Sequence, residues 1–200
     1  MGNNVMVEGS GLNGSMWVRW SLAARTAAGT VLAAALSIFL QMGDARAAQV
    51  RGIDPAAPVI SRQEIVINAP LATIWKIQTG ISSWTTWRPT VTAARFDGEL
   101  AVGSAFKWEE GGLQITSTVQ ELAPLRRIVW TGPAQGIDAV HVWQFTETAQ
   151  GVKVSTEESW SGEVVRANAA SLQPLLDSAL REWLTRLKAT SEASASKTSR

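Results

Sequence analysis

The stretch that decides the fold is Ile137–Trp160, IDAVHVWQFTETAQGVKVSTEESW. Its residues alternate twice about a polar centre. In 137–147, His141, Trp143 and Phe145 fall on one side, with Val140, Val142 and Gln144 on the other. In 152–160, Val152, Val154, Thr156, Glu158 and Trp160 share a side. A period of two in residues rich in β-branched and aromatic types is a strand signature, and Ala149-Gln150-Gly151 between them supplies a turn. The pair reads as an antiparallel hairpin. If both inward sets face the same way, paired positions sum to an odd number. A sum of 299 sets Phe145 against Val154, Trp143 against Thr156 and His141 against Glu158. Directly opposed β-carbons lie roughly 4.5–5.5 Å apart, so imidazole and carboxyl are predicted to meet.

Upstream of the hairpin the same grammar continues. Strands are predicted over 91–97, 103–110, 113–122 and 126–131, separated by Asp97-Gly98, Gly111-Gly112, Ala123-Pro124 and Gly132-Pro133. Leu113, Ile115, Ser117 and Val119 share a face, as do Phe106 with Trp108 and Ile128 with Trp130. Arg62–Asn68 gives one more strand, making seven. Pro70 opens a short helix to about Gln78, and a second fits Ser82–Trp87 with Ser82 as cap and Pro89 as terminator. Downstream, Leu172, Leu176, Leu180 and Leu187 recur at helical spacing, widened by Leu175, Ala179, Trp183 and Leu184. Pro174 is tolerable only in a first turn, so Ser171 is the expected cap, with 164–170 a separate turn or kinked extension. The fold class is α+β: a seven-stranded antiparallel sheet wrapped around a long C-terminal helix, with two short helices after the first strand.

Composition narrows the chemistry. The chain has 200 residues, a formal net charge of +1, ten tryptophans, one histidine, and neither cysteine nor tyrosine. Disulfides, thiolate metal sites and cysteine nucleophiles are excluded. One histidine cannot build a multi-His zinc or iron site, so no metal and no cofactor are expected. No basic stripe marks a nucleic-acid partner. No G-x-S-x-G elbow, phosphate loop or dinucleotide motif occurs. Ten indoles mean either a very aromatic core or a cavity lined by rings.

The N-terminal 47 residues read apart from the domain. Arg19 and Arg25 precede an apolar run, Thr26–Leu40, and Ala45-Arg46-Ala47 before Ala48 has the small-x-small cleavage form. Residues 16–47 are read as a signal peptide and 1–15 as a candidate misannotated extension, with Met1 and Met16 both open as the true start. The apolar run is about 15 residues, short of the roughly 20 that span a bilayer. The expected location is periplasmic or secreted, with no stable membrane span after cleavage and an N-terminal anchor as the alternative. Residues 48–61 are a linker with Pro55 and Pro58, 62–190 the domain, and 191–200 a disordered polar tail.

The order strand, helix, helix, strands, long helix, together with EIVINAP at 64–70, W-x-x-W-R-P at 84–89, GSAFKW at 103–108, RIVWTG at 127–132, HVWQF at 141–145 and TEESW at 156–160, resembles the START-like, helix-grip superfamily known as SRPBCC, in its polyketide cyclase/dehydrase-like branch. The resemblance spans about residues 62–190. It implies a hydrophobic pocket between sheet and helix, in a family that includes lipid carriers, hormone receptors, allergens and aromatase/cyclases.

The site expected from the residues is that pocket. Its candidate ligand-binding residues are Trp84, Trp87, Phe106, Trp108, Ile115, Ser117, Trp130, His141, Trp143, Thr156, Glu158, Trp160, Leu176, Leu180 and Trp183. His141 and Glu158 are the candidate catalytic pair, since an imidazole held by a carboxylate is a general base; the same pair could instead orient a ligand or simply satisfy each other. Glu110 either rims the pocket or ends a solvated hairpin. Arg88 is expected as a surface side chain stacked on Trp84 or Trp87, with closure of the pocket mouth as the alternative. The partner is a small hydrophobic or amphipathic molecule: a lipid, quinone or aromatic, polyketide-like compound. The function expected is an exported binding protein. The rivals are a cyclase/aromatase-like enzyme using His141 and Glu158, and an envelope interaction module with a solid core and a protein partner that the sequence leaves unknown.

Overall fold

The computed structural model describes residues 52–198. The proposed extension 1–15 and signal segment 16–47 lie outside the described residues. Seven strands form one antiparallel sheet: β1 Val59–Ile67, β2 Val91–Arg95, β3 Ala105–Glu110, β4 Leu113–Ala123, β5 Arg127–Thr131, β6 Asp138–Thr148 and β7 Gly151–Ser161. Their order is β1-β7-β6-β5-β4-β3-β2. Every neighbour after β1 is joined by a short connection, as turn chemistry requires; β1 alone waits for the last strand. Two helical pieces, α1 Leu71–Thr79 and a 3-10 helix Ile81–Thr86, bridge β1 to β2, and the long helix α2 Glu163–Thr198 crosses the inner face. This is the helix-grip architecture.

The β6–β7 register pairs His141 with Glu158 and Trp143 with Thr156, as the parity of the hairpin predicts. Gly111 and Gly112 turn β3 into β4 with φ of 58° and 80°, a hairpin geometry open to glycine at no steric cost. Gly162 (φ 113°) turns β7 into α2, and a side chain there would strike the Gly136 backbone.

The inner face divides in two. One part is a packed aromatic core. Trp84 lies edge-on to Phe106, Trp108 and Trp183, with ring centroids 5.7, 5.5 and 5.2 Å away. Its indole N–H donates to the Gln78 carbonyl at 2.9 Å, which spares the ring a buried unpaired donor. A smaller cluster of Val59, Val165, Leu176 and Leu180 holds the first part of α2 against β1.

Four expectations need correction. The linker ends earlier than residue 61: Val59 is already in β1 and fully buried, and Gln173 of α2 bridges the Ile60 peptide, donating to its carbonyl at 2.9 Å and accepting its N–H at 3.3 Å. Ser82 does not cap its helix; the helix starts at Ile81 after Gly80, and the Ser82 hydroxyl pins the end of β2 by bonding both the N–H and the carbonyl of Phe96. Nor does Ser171 begin α2. The helix starts at Glu163 and breaks at Asn168 (φ −126°, ψ 17°), where the Ser171 hydroxyl donates to the Asn168 carbonyl, so Pro174 falls inside the merged helix, in the second turn past the break. Finally, the tail is not frayed at 191. The helix continues to Thr198, Ser191 is buried, Lys188 donates to the Val66 carbonyl at 2.6 Å, and Glu192 accepts the Asn68 N–H at 2.9 Å. These tie the polar end of α2 to the exit of β1, a tertiary contact invisible to local composition.

Candidate functional site

Beside the aromatic core the inner face stays open. A cavity of about 270 Å³ lies between β3–β7 and α2. For scale, an apolar cavity of ~150 Å³ accepts benzene, so this one suits a molecule of about two rings. Its walls include Trp108, Ile115, Ser117, Trp130, His141, Glu158, Trp160, Leu176, Leu180 and Trp183, all among the predicted residues. It also uses Glu110, Gly132, Ala134, Ala139, Leu175 and Ala179, which alternation alone did not single out. The signal of Gly132, Ala134, Ala139 and Ala179 is smallness, which leaves room at inward positions; Glu110 is the rim candidate, and Leu175 belongs to the apolar stripe of α2.

The remaining candidates do not line the cavity. Trp84, Phe106 and Trp143 are buried in the aromatic core behind it. Trp87 is half-buried and packs against that core from outside. Thr156 is fully buried beneath His141, bonded to it rather than facing the space. The physical reason is that period-two alternation gives the face of a residue but not its position along that face, and the core fills one end of it.

The polar floor is built by β6 and β7. Glu158 Oε2 lies 3.1 Å from His141 Nδ1, and its Oε1 accepts the Trp160 indole N–H at 2.8 Å. His141 Nε2 is 2.7 Å from the Thr156 hydroxyl, which donates its one proton to the Val142 carbonyl at 3.1 Å. The donor count then assigns the ring. Thr156 has no proton left to give, so Nε2 carries the hydrogen and Nδ1 accepts. The bond to Glu158 therefore takes its proton from the carboxyl. Electrostatics agree. Burial pushes the Glu158 carboxyl up to about 7, the Trp160 N–H opposing; the charge of Glu110 adds to the rise and Arg88 works against it. Burial, with the positive charge of Arg88, holds His141 well below its ordinary value. At neutral pH the imidazole is neutral and the carboxyl is the group that titrates. Desolvation thus keeps the imidazole neutral and raises the carboxyl, so that Glu158 rather than His141 titrates near neutral pH.

Arg88 also stands corrected, and Glu110 takes the first of its two expected places. Arg88 is not a surface residue on Trp84 or Trp87. It is fully buried, its guanidinium 3.4 Å from the centre of the Trp183 ring, and its Nη2 donates to Glu110 Oε1 at 2.7 Å. Thr90 donates to the same oxygen at 2.6 Å. Glu110 is no solvated hairpin end; with its charge matched by Arg88 it forms part of the cavity wall. Burial lowers the Arg88 pKa against the pull of Glu110. The sequence concealed this because the three partners come from β3, α2 and the segment before β2.

Comparison with known proteins gives the family. The model for "Polyketide cyclase / dehydrase and lipid transport" matches residues 58–192. The chain belongs to that family. Its fold neighbours agree. A hypothetical protein, jhp0584, from Helicobacter pylori is 20% identical with a TM-score of 0.62, over 71% of this chain and 97% of that one. TTHA0849 from Thermus thermophilus is 14% identical with a TM-score of 0.59, over 68% and 99%. The di-domain ARO/CYC StfQ from the steffimycin biosynthetic pathway is 15% identical with a TM-score of 0.59, over 69% of this chain and 52% of that one. At such identities the likeness establishes the helix-grip fold alone. No curated protein matches. Among the described residues of this family member, no cluster of three or more His, Asp or Glu could hold a metal ion, and no helix is long and apolar enough to cross a membrane.

Proposed function

We propose that this protein binds a small hydrophobic or amphipathic molecule between the sheet and α2, and that it does so after export. The observation that carries the reading is a cavity of about 270 Å³ with largely apolar walls and two carboxyls in its lining, Glu110 paired with Arg88 and Glu158 without a cationic partner. Such a site draws affinity from buried apolar area, at about 25 cal/mol per Å², and orientation from few polar groups. The export half of the proposal is motivated by the segment 16–47. Intact mass of the protein from its native host tests it: a chain starting at Ala48 supports export with cleavage, and one retaining residues 16–47 overturns cleavage.

Native mass spectrometry of the same sample, with organic extraction, tests binding. A co-purifying lipid, quinone or aromatic supports it. A clean apo mass, together with no shift in melting temperature across a panel of such molecules, overturns it.

A second reading has one specific observation in its favour. A carboxyl titrating near 7 in a ligand-sized pocket is suited to general acid/base work. In a cyclase-like enzyme Glu158 would then transfer the proton, with His141 as the residue that holds it. Turnover of a polyketide-like substrate abolished by Glu158→Gln, with binding retained, supports this reading.

A further inference from the structure

We propose that the pocket selects an organic cation of about two rings, an amine or quaternary ammonium, over a neutral or anionic molecule of the same shape. This deepens the binding reading above and rests on it.

The argument starts from two carboxyls in one cavity wall. Glu110 has its charge matched: Arg88 and Thr90 both donate to its Oε1. Glu158 has no such match. One of its oxygens meets an indole N–H and the other a neutral imidazole. A carboxyl removed from water without a cation is costly to ionise. A positively charged guest placed beside it would supply what the protein leaves out.

The aromatic walls point the same way. Trp108, Trp130, Trp160 and Trp183 all line the space. Three of their N–H groups are committed to the protein: Trp108 to Ser117 at 3.0 Å, Trp160 to Glu158 at 2.8 Å and Trp183 to Gln78 at 3.0 Å. What those rings retain for a guest is π surface, which attracts cations and repels anions. No lysine or arginine belongs to the lining. The Arg88 guanidinium is stacked on Trp183 and bonded through Nη2 to Glu110, its Nε and Nη1 being buried without a hydrogen-bond partner. An anionic guest would meet two carboxyls, with three of the four wall indole N–H groups already committed.

Binding of a cation favours the Glu158 carboxylate, and a proton leaves for solvent. His141 then carries its hydrogen on Nδ1, donating to Glu158, while Nε2 accepts the Thr156 hydroxyl. The groups facing Glu158 are His141 on β6, the uncharged Ser61 opposite on β1, and Trp160 on its own strand. Arg88 and Glu110 act on it from further away with opposite signs, and Glu182 of α2 acts on Arg88. Affinity for a permanent cation therefore rises with pH through about 7 and then levels.

Three probes of one shape test this on the full chain: (2-naphthylmethyl)trimethylammonium, its carbon isostere 2-(2,2-dimethylpropyl)naphthalene, and 2-naphthylacetate. Calorimetric titration is expected to give the ammonium about tenfold tighter binding than the isostere, and no saturable binding of the acetate. Affinity for the ammonium, whose own charge does not titrate, should rise between pH 5.5 and 8.5 while the isostere stays level. His141 is the chain's only histidine, so its ring ¹⁵N signals need no assignment and should report the change of tautomer. In Glu158→Gln the preference for the cation should vanish while the isostere still binds, which also shows that the variant folds. An isostere that binds as tightly as the ammonium overturns cation selection and leaves the ligand site standing. Failure of all three probes overturns both. Cation preference that survives Glu158→Gln overturns the role given to that carboxyl.

Discussion

The two ends of the sheet's inner face use the same kinds of residue and reach opposite results. At one end Trp84, Phe106 and Trp143 close against Leu184 and Leu187 of α2 and the space is full, Trp130 and Trp183 being shared with the cavity wall. At the other, Trp108, Trp160, Leu176 and Leu180 stand around an opening. The difference is made by what lies between the large side chains. The packed end is backed by the 3-10 helix, which delivers Trp84 as a plug with edge-on contacts on several sides. The open end has Gly132, Ala134, Ala139 and Ala179 instead. Aromatic abundance thus sets the wall material, and small residues decide whether a wall encloses anything.

Truncating one ring at each end separates these roles most sharply. Trp84→Ala should lower unfolding free energy by about 3–5 kcal/mol, since a filled core cannot collapse onto the void. Trp160→Ala, beside space that already exists, should cost about 1 kcal/mol. Urea unfolding of both variants checks this, and equal losses would erase the distinction between the ends.

Next in size is the pH response of the open end. Glu158 is pushed up to about 7 in the fold, against about 4.3 when unfolded. The native state therefore binds the extra proton between those values, and stability from this group falls as pH rises from about 4.5 to 7, then stays level. The stability of wild type relative to Glu158→Gln should decline over that window by up to about 4 kcal/mol. His141, neutral in the fold, contributes the opposite slope below about 6.5: stability falls as pH drops and the unfolded imidazole charges. Unfolding of both proteins at several pH values separates the two slopes.

Arg88 sits where the ends join. Arg88→Met should cost about 2 kcal/mol, because Glu110 is left in the cavity wall without its counter-charge. Double substitution with Glu110→Gln should recover part of the loss, a coupling that a thermodynamic cycle measures. The smallest effect expected on stability is at Ala179. Ala179→Leu should fill the opening, change stability by less than about 1 kcal/mol, and abolish binding of a two-ring probe. Retained binding would mean that the ligand sits elsewhere.

Much of the architecture was legible because it is local. The alternation of 137–160 and the parity of its turn place His141 opposite Glu158 without reference to anything else. Leucine spacing announces α2. The site was half legible for the same reason: alternation names the inward residues of β4 to β7, and half of those named line the cavity. What escaped depends on contacts between distant segments. The burial of Arg88 needs Glu110 and Trp183 together, and the helical course past Ser191 needs the end of β1 as its dock. The charge states escaped too, since the burial that sets the protonation of His141 and Glu158 is a property of the assembled molecule.

The strand order carries one more consequence. β1 has a single neighbour, β7, and Val59 meets Trp160. Every other pairing in the sheet can form as soon as a hairpin is made, but the first strand stays without a partner until the last has been synthesised. A nascent chain therefore exposes the edge of β1, with its buried-face residues Val59, Ser61 and Ile67, through most of its elongation. Closure is a late, long-range event of the kind that slows folding. The grip cannot close before β7 is available, so a factor that keeps the chain extended meets a β1 edge that is still unpaired.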